Sequence, residues 1–367
     1  MSRMTRALAA PVSFAVATAL LLPLWAGRDA AWLGSGDAPA LALSRTVADR
    51  ALEGLSDVGP GEARFDGEWR TVTCAFGALG MAQVAERHPE ERDRLRDATR
   101  SCLQALQTPE ARSFAIAAWG VDGGTDLAHR GGHAWLGYEA LALAVSHRTF
   151  PDDPWIAARH GQVHDALVAR LNAHSPRSLQ TYPGETYPPD QAVLLAAVEL
   201  GGHDASAWRA RWRAHAIDPH TGLLFQRLDP SSGAPSDVAR GSGTTLAAWA
   251  LGLASLPEAD DLWTAIETHL LVEHASLAAI REVPPGSPAR MDVDSGPVVL
   301  GLGLSASGFA LGASRAAGDR DRFTRLHRLA WVVGAPAQSF GRRRFVAGGA
   351  VGDALLLAAE STPWGAR

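Results

Sequence analysis

The stretch from Tyr182 to Asp190 brings together side chains that can do acid–base chemistry. It reads Tyr-Pro-Gly-Glu-Thr-Tyr-Pro-Pro-Asp and contains two of the three tyrosines in the chain, Tyr182 and Tyr187, beside Glu185 and Asp190. Two carboxyls in unequal surroundings can keep one group protonated and the other ionised, which general acid–base catalysis requires. We therefore predict Glu185 and Asp190 as catalytic, with Tyr182 and Tyr187 positioning a hydroxyl or donating to a leaving group.

A second acidic pair, Asp292 and Asp294, stands before the glycine-rich run that begins at Gly296. Side chains two residues apart at a loop–helix junction point in different directions, so at most one of the pair faces a shared cavity. We predict Asp294 as catalytic and Asp292 as substrate-binding. Acidic residues also favour the first turn of any helix through capping and the helix dipole, so a purely structural role stays open for each.

The elements that must position these groups are predicted to be helices of two kinds. Amphipathic segments, charged on one face, are typical of outer helices, and segments apolar on every side must be buried on every side. The outer segments are about 44–57, 90–106, 154–173, 204–215, 259–281 and 319–334. The inner segments are about 69–86, 131–147, 188–201, 240–256, 296–317 and 345–361. Outer and inner segments alternate, which predicts an all-α fold: an (α/α)6 barrel, or toroid, of six helical hairpins.

In such a barrel the starts of all inner helices lie at one end, and polar and aromatic residues collect at these starts. We therefore expect further residues near the inner-helix starts to bind the substrate. They are Asp66, Trp69, His133, Trp135, Tyr138 and Arg240.

His129 and His133 have a spacing that would place both imidazoles on one helix face, where they could bind zinc with Asp126. No glutamate follows the first histidine, and Gly131-Gly132 weakens a helix between them. We predict no metal site, and a catalytic, substrate-binding or hydrogen-bonded structural role for His133.

The connections from outer to inner helices are long and polar, and the reverse turns are short. One long connection, residues 222–233, predicts a small β-hairpin with its turn at Asp229-Pro-Ser-Ser-Gly233. The glycine-rich run 296–312 could also be a membrane span. Arg315 follows closely and packed inner helices need small residues, so a buried helix is preferred.

Composition limits the classes of ligand. The net charge of −5 and the pI of about 6.2 give no reason to expect a nucleic acid. The sequence contains no lysine, which excludes pyridoxal-phosphate enzymes and P-loop NTPases. We predict a small-molecule substrate and no cofactor.

The N-terminus has the pattern of an export signal, with Arg3 and Arg6 before an apolar run over residues 7–26. We predict that residues 1–27 are a signal peptide or a single membrane anchor, so that membrane attachment would occur through residues 7–26. Residues 28–43 are expected to be a linker and residues 44–367 a single barrel domain. The expected location is extracytoplasmic: periplasmic, secreted, or on the outer face of the cytoplasmic membrane.

Cys74 and Cys102 are the two cysteines of the chain, and each lies 14 residues from the turn centred near residue 88. Antiparallel neighbours equidistant from a turn sit at the same height. In an exported protein this favours a Cys74–Cys102 disulfide over two free thiols or a catalytic cysteine.

With its predicted hairpins, the Tyr182–Asp190 loop and the segment Asp292-Val-Asp-Ser-Gly-Pro297, the chain resembles (α/α)6-barrel enzymes. It loosely resembles linalool dehydratase/isomerase-like proteins, which implies hydration and dehydration chemistry by Tyr, Asp and Cys side chains. We expect an exported enzyme using cofactor-free acid–base chemistry, of lyase, isomerase or glycoside-processing type, on a small neutral or sugar-like substrate. The alternative is a non-catalytic envelope protein whose barrel binds a glycan or a protein partner.

Overall fold

Six helices form a closed inner ring in the computed structural model, which describes residues 27–33, 37–55, 63–129, 131–174, 178–287 and 295–365. The inner helices are α3 (Ala63–Ala85), α6 (Leu136–Thr149), α8 (Pro188–Leu200), α10 (Gly241–Leu253), α12 (Leu304–Ala316) and α14 (Gly349–Ser361). Each packs against the next in chain order, and α14 returns to pack against α3. The predicted all-α (α/α)6 barrel is confirmed.

A second set of helices surrounds this ring. It comprises α2 (Ala38–Leu52), α4 (Arg92–Ala105), α7 (Pro154–His174), α9 (Ser206–Ala216), α11 (Glu258–His269) and α13 (Arg320–Gly334). They are amphipathic: α4 buries Leu95, Ala98 and Leu103 while its arginines and aspartates form surface ion pairs. The outer set therefore supplies the polar surface that the inner helices lack.

Small residues let the inner helices approach one another closely. Every residue of α10 is buried. A Cβ added at Gly137 in α6 would lie 2.7 Å from the Leu194 Cα in α8, and one at Gly80 in α3 would lie 2.8 Å from the Ala358 backbone nitrogen in α14. The abundance of glycine and alanine in these segments thus follows from backbone-to-backbone packing.

The N-terminal part of the described chain differs from the predicted linker at 28–43. Residues 27–33 are helical (α1), and α2 begins at Ala38 rather than near residue 44. Leu33, Ala40 and Leu43 are buried in the same core as the barrel helices. Their burial makes this stretch part of the barrel, because apolar side chains pack there instead of remaining in solvent.

Two of three short hairpins replace parts of predicted helices, and the third lies in the connection between α13 and α14. β1 (Leu271–His274) and β2 (Leu277–Ile280) follow α11, which ends at His269 and not at 281. β3 (Val298–Val299) and β4 (Leu302–Gly303) precede α12, and β5 (Pro336–Ser339) and β6 (Arg342–Phe345) precede α14. Short 3-10 turns at Pro89–Glu91 and Val346–Gly348 complete the elements.

Two excursions build the elaborated end of the barrel. Helix α5 (Pro109–Trp119), which the sequence reasoning did not separate from its loop, packs against α3. The predicted hairpin near 222–233 is present as isolated bridges with its turn at Asp229, whose backbone N–H donates to Ala234. Its arms extend further, because Phe225 pairs with Ala239 and Leu228 with both Pro235 and Thr186.

The predicted disulfide is not formed in the structure. Cys74 of α3 and Cys102 of α4 are both buried and free, and their thiols are hydrogen-bonded to each other. The hydrogen bond with Cys74 and burial together raise the pKa of Cys102 well above its ordinary value. The predicted juxtaposition is right, but a buried protonated thiol is a poor starting point for oxidation, which needs the thiolate.

No helix in the described part of the chain is both long and apolar enough to cross a membrane. The run 296–312, for which a membrane span was an alternative, contains the β3–β4 hairpin and the first part of α12. Residues 7–26, the predicted signal or anchor, lie outside the described residues.

Candidate active site

A cavity of about 1260 Å³ opens at the end of the barrel where the inner helices begin. All six inner helices contribute lining residues, joined by α5, α13 and the Tyr182–Asp190 loop. The polar lining side chains include Glu68, Tyr138, Tyr182, Glu185, Tyr187 and Asp190. The end of the barrel that carries the long connections therefore also carries the cavity.

Asp190 lies in the first turn of α8 and is held by two hydroxyls. Tyr138 Oη donates to its Oδ1 at 2.8 Å and Thr181 Oγ1 donates to its Oδ2 at 2.7 Å. Burial raises the pKa of Asp190 above its ordinary value, and the hydrogen bonds from Thr181 and Tyr138 oppose that rise. The remaining exposure of Asp190 is to the cavity it lines.

Glu68 lies in the second turn of α3 and reaches the same cavity. Tyr182 Oη donates to its Oε1 at 3.2 Å. Burial raises the pKa of Glu68, and the nearby negative charge of Asp190 raises it further against the hydrogen bond from Tyr182. Two carboxyls thus share one cavity, and the charge on one is felt by the other.

Glu185 stands at a more open position on the cavity wall. It accepts a hydrogen bond from Tyr187 Oη at 2.9 Å and forms an ion pair with Arg227 of the 222–239 hairpin at 3.1 Å. The Tyr182 and Tyr187 rings meet edge to face with centroids 6.2 Å apart. The two phenols therefore connect the Glu68 side of the wall to the Glu185 side.

Aromatic rings line the cavity beside these carboxyls and phenols. Trp69, Phe114 and Trp135 line the cavity, and Phe114 contacts both the Trp135 ring at 5.6 Å and the Tyr182 ring at 6.3 Å. Phe76 lies next to Tyr138, at 6.2 Å, and stacks at 5.1 Å on the buried Trp249. This contact fixes one part of the cavity floor.

Several predicted site residues lie elsewhere. Asp66, His133 and Arg240 are not among the residues that line the cavity. Arg240 is buried and donates to Asp237 at 2.7 Å. Asp292 and Asp294 lie outside the described residues.

His133 is packed behind the cavity wall and not on a helix face shared with His129. Its backbone has φ of 63°, and its ring lies 4.7 Å from the Trp119 ring and 5.4 Å from the His129 ring. Trp135 Nε1 donates to its Nδ1 at 3.3 Å. Burial lowers the pKa of His133 to about 3, with the Arg170 charge adding to the effect.

This neutral histidine should make the folded chain sensitive to acid. An unfolded histidine has a pKa of about 6.5. Between about pH 6.5 and 3 the unfolded state therefore binds a proton that the folded state does not bind, and this favours unfolding. We expect a loss of about 2 to 3 kcal/mol of unfolding free energy from this group between pH 7 and 4.5. Urea unfolding of His133→Asn at both pH values should show a smaller loss than the unsubstituted chain.

Asparagine suits this test because it tolerates a positive φ and does not titrate. The exposed His220 supplies the control, and His220→Asn should keep the pH dependence of the unsubstituted chain. An equal pH dependence in His133→Asn would show that His133 is not the group responsible.

Glu68 is the residue of this site that the sequence reasoning did not single out. The prediction named its neighbours Asp66 and Trp69 instead. A signal existed: Glu68, Val72 and Phe76 recur at intervals of four in α3, which places them on one helix face, and all three line the cavity. Asp66 lies two residues away and so points elsewhere.

Within the described ranges, no group of three or more His, Cys, Asp or Glu side chains could hold a metal ion. The polar side chains that line the cavity beside α3 and α8 include carboxyls and phenols, with aromatic rings next to them.

No protein-family model matches the sequence. No curated protein matches it either. Solved structures do share the fold. A selenomethionine derivative of a GH76 α-mannanase from Bacteroides thetaiotaomicron has a TM-score of 0.50 and 9% identity, with 87% of this chain and 95% of that chain covered. A GH76A α-1,6-mannanase from a Salegentibacter species has a TM-score of 0.52 and 9% identity, with 87% and 98% covered. At such identity the likeness establishes the barrel fold alone.

Proposed function

We propose that this chain is a glycoside-processing enzyme in which Glu68 and Asp190 are the catalytic carboxyls. The observation that carries the proposal is their placement: both line one cavity, the charge of Asp190 raises the pKa of Glu68, and hydroxyls hold each in place. Glycosidases commonly use such a pair of carboxyls on either side of the bond they cleave.

The surroundings of the two groups suggest different roles. Asp190 accepts two hydroxyl hydrogen bonds, which favour its ionised form, whereas Glu68 accepts one and experiences the charge of Asp190. Groups whose environments differ in this way divide into acid and base. Glu68 is therefore assigned as the general acid and Asp190 as the general base.

The proposed reaction is hydrolysis. The Glu68 carboxyl gives its proton to the glycosidic oxygen as the bond from that oxygen to the anomeric carbon breaks. Water attacks the anomeric carbon, and its proton passes to the Asp190 carboxylate. Trp69 and Trp135 offer ring faces for the sugar, and Glu185, held by Arg227, offers a carboxylate for sugar hydroxyls. This chemistry needs no cofactor.

An α-mannoside is the first substrate to test, because the solved structures that share the fold include α-mannanases. The purified chain should release reducing sugar from α-1,6-linked mannan or cleave an aryl α-mannoside. We expect Asp190→Asn to lower that rate by about 10²- to 10⁴-fold, the usual contribution of a general base. Glu185→Gln, at the more open position, should raise KM more than it lowers kcat.

Equal activity of Asp190→Asn and the unsubstituted chain would remove Asp190 from the mechanism. If no glycoside is cleaved, lyase or isomerase chemistry of the type suggested by the resemblance to linalool dehydratase/isomerase-like proteins becomes the reaction to test at the same carboxyls. A barrel that binds a glycan without turnover would support the non-catalytic alternative.

Export also belongs to the proposal. The apolar run 7–26 with Arg3 and Arg6 before it supports this proposal, under which the barrel is extracytoplasmic. Fusion of residues 1–43 to alkaline phosphatase, which is active only after export, tests this directly.

A further inference from the structure

The cavity is chemically divided into two ends. Its charged lining residues among those described, Glu68, Glu185 and Asp190, all lie at the end formed by α3, α8 and the Tyr182–Asp190 loop. The other end runs between α12, α13 and α14. Its side chains include Phe309, Leu326, Leu329, Val333, Val351 and Leu355.

The two ends are continuous. Tyr138, which holds Asp190, contacts the Phe76 ring at 6.2 Å, and Phe76 in turn lies 6.3 Å from Phe309 of α12. A ligand whose reacting group lies at Asp190 can therefore extend past Phe76 into the apolar end without leaving the cavity.

The apolar end is unsuited to further sugar units. Its described lining contains no tryptophan and no charged group, and Ser305 and Ser307 are its polar side chains. Ser307 is already engaged, since it donates to the Gly303 carbonyl and accepts from the Ile280 N–H. A sugar there would lose hydrogen bonds to water without replacing them, which is costly, whereas an alkyl chain would gain from burial.

Several of the side chains that line this end are also incompletely buried. Val333 is 43% exposed and Leu304 is 45% exposed, and Leu329, Val351 and Leu355 are half-buried. The total volume of about 1260 Å³ exceeds the usual range of about 300 to 1,000 Å³ for ligand pockets, so space remains beyond a sugar.

We propose that the natural substrate is an amphiphile: a glycoside whose sugar lies at Glu68 and Asp190 and whose aliphatic chain occupies the end between α12, α13 and α14. This inference rests on the proposed glycoside-processing function for the sugar end. It adds the chemical class of the group to which the sugar is attached.

The test is calorimetric binding of methyl, butyl, hexyl and octyl α-mannosides, each below the concentration at which it forms micelles. Affinity should rise by about two- to fourfold per buried CH₂. Val333→Asp, which puts a charge into the apolar end, should abolish the gain with chain length while leaving methyl mannoside affinity unchanged. Val332→Asp is the matched control, because Val332 is 36% exposed on the same helix and does not line the cavity. Val351→Asp repeats the test from α14.

The outcomes separate this inference from the proposed function. Cleavage of a short mannoside with an affinity independent of chain length would overturn the amphiphilic substrate alone. Affinity that rises with chain length without cleavage of any glycoside would overturn the enzymatic proposal and retain the aliphatic binding end. Equal loss in Val332→Asp and Val333→Asp, or no binding at any length, would overturn the inference.

Discussion

Glu68→Gln is expected to lower kcat on a cleaved glycoside by about 10²- to 10⁴-fold, because glutamine keeps the size of the side chain but has no proton to give. The substitution keeps an acceptor for the Tyr182 hydroxyl, so substrate affinity and folding should change little. Asp66→Asn is the matched control: it lies in the first turn of the same helix and does not line the cavity. Steady-state kinetics of the two variants measure the difference.

The pH profile gives this prediction a second readout. Activity should fall at high pH as Glu68 loses its proton and at low pH as Asp190 gains one. Burial raises both pKa values, so the whole profile should be centred above the ordinary carboxyl values of about 3.9 and 4.3. Glu68→Gln should remove the high-pH fall from the residual activity. An unchanged profile with an undiminished rate would exclude Glu68 as the acid.

The sequence predicted the barrel because helix burial leaves a strong compositional pattern. The inner segments are apolar on all sides, and α8 and α10 show why: nearly all of α8 and all of α10 are buried among neighbouring helices. A loop packed against such helices has no comparable pattern. Helix α5 and the β1–β2 hairpin were therefore missed, since their residues are fixed by contacts with α3 and α13 that no local periodicity encodes.

Part of the candidate site could also be predicted from the order of the helices. The Tyr182–Asp190 loop and its partner Tyr138 do lie at the shared cavity, because the starts of inner helices meet at one end. His133 and Arg240 also stand near inner-helix starts, yet tertiary packing places their side chains behind the wall, against Trp119 and Asp237 respectively. A residue's position near a helix start predicts its height in the barrel and not the direction of its side chain.

The arginine run 342–344 shows the same limit for a strand. These residues stand just before the last inner helix in the sequence, but they lie in β6, where alternate side chains point to opposite sides. Arg342 is exposed and pairs with Asp49 at 2.5 Å. Arg343 is buried and forms ion pairs with Asp29 at 3.1 Å and Glu360 at 3.2 Å.

Glu360→Gln is expected to cost roughly 3 kcal/mol of unfolding free energy, at the low end for a broken buried ion pair, because buried Arg343 loses one of its two carboxylates and keeps Asp29. Glu360 is fully buried and also accepts from His327 Nε2 at 2.9 Å. Burial alone would raise the pKa of Glu360, but the Arg343 charge and the His327 hydrogen bond outweigh it, so the pKa is lowered. Urea unfolding at pH 7 measures the loss.

The surface supplies a control with the same chemistry. Glu90 pairs with His88 at 2.9 Å, as Glu360 does with His327, but the Glu90 side chain is 62% exposed. Water screens exposed ion pairs and their contribution is small, so Glu90→Gln should change the unfolding free energy little. If Glu90→Gln and Glu360→Gln lower the unfolding free energy equally, burial does not explain the contribution of Glu360 to stability.

The pH dependence and an apolar replacement complete the test. The pKa of Glu360 is lower in the folded chain than its unfolded value of about 4.3, so the ionised carboxylate stabilises the folded chain above that pH. This contribution is lost as the pH falls through the folded pKa. The difference in unfolding free energy between Glu360→Gln and the unsubstituted chain should therefore shrink in acid. Glu360→Leu combined with Arg343→Met removes both buried charges and should be more stable than Glu360→Leu alone. The Arg343 guanidinium also lies 4.5 Å from the Phe345 ring, which lines the cavity. The buried ion-pair network therefore contacts a residue of the cavity wall directly.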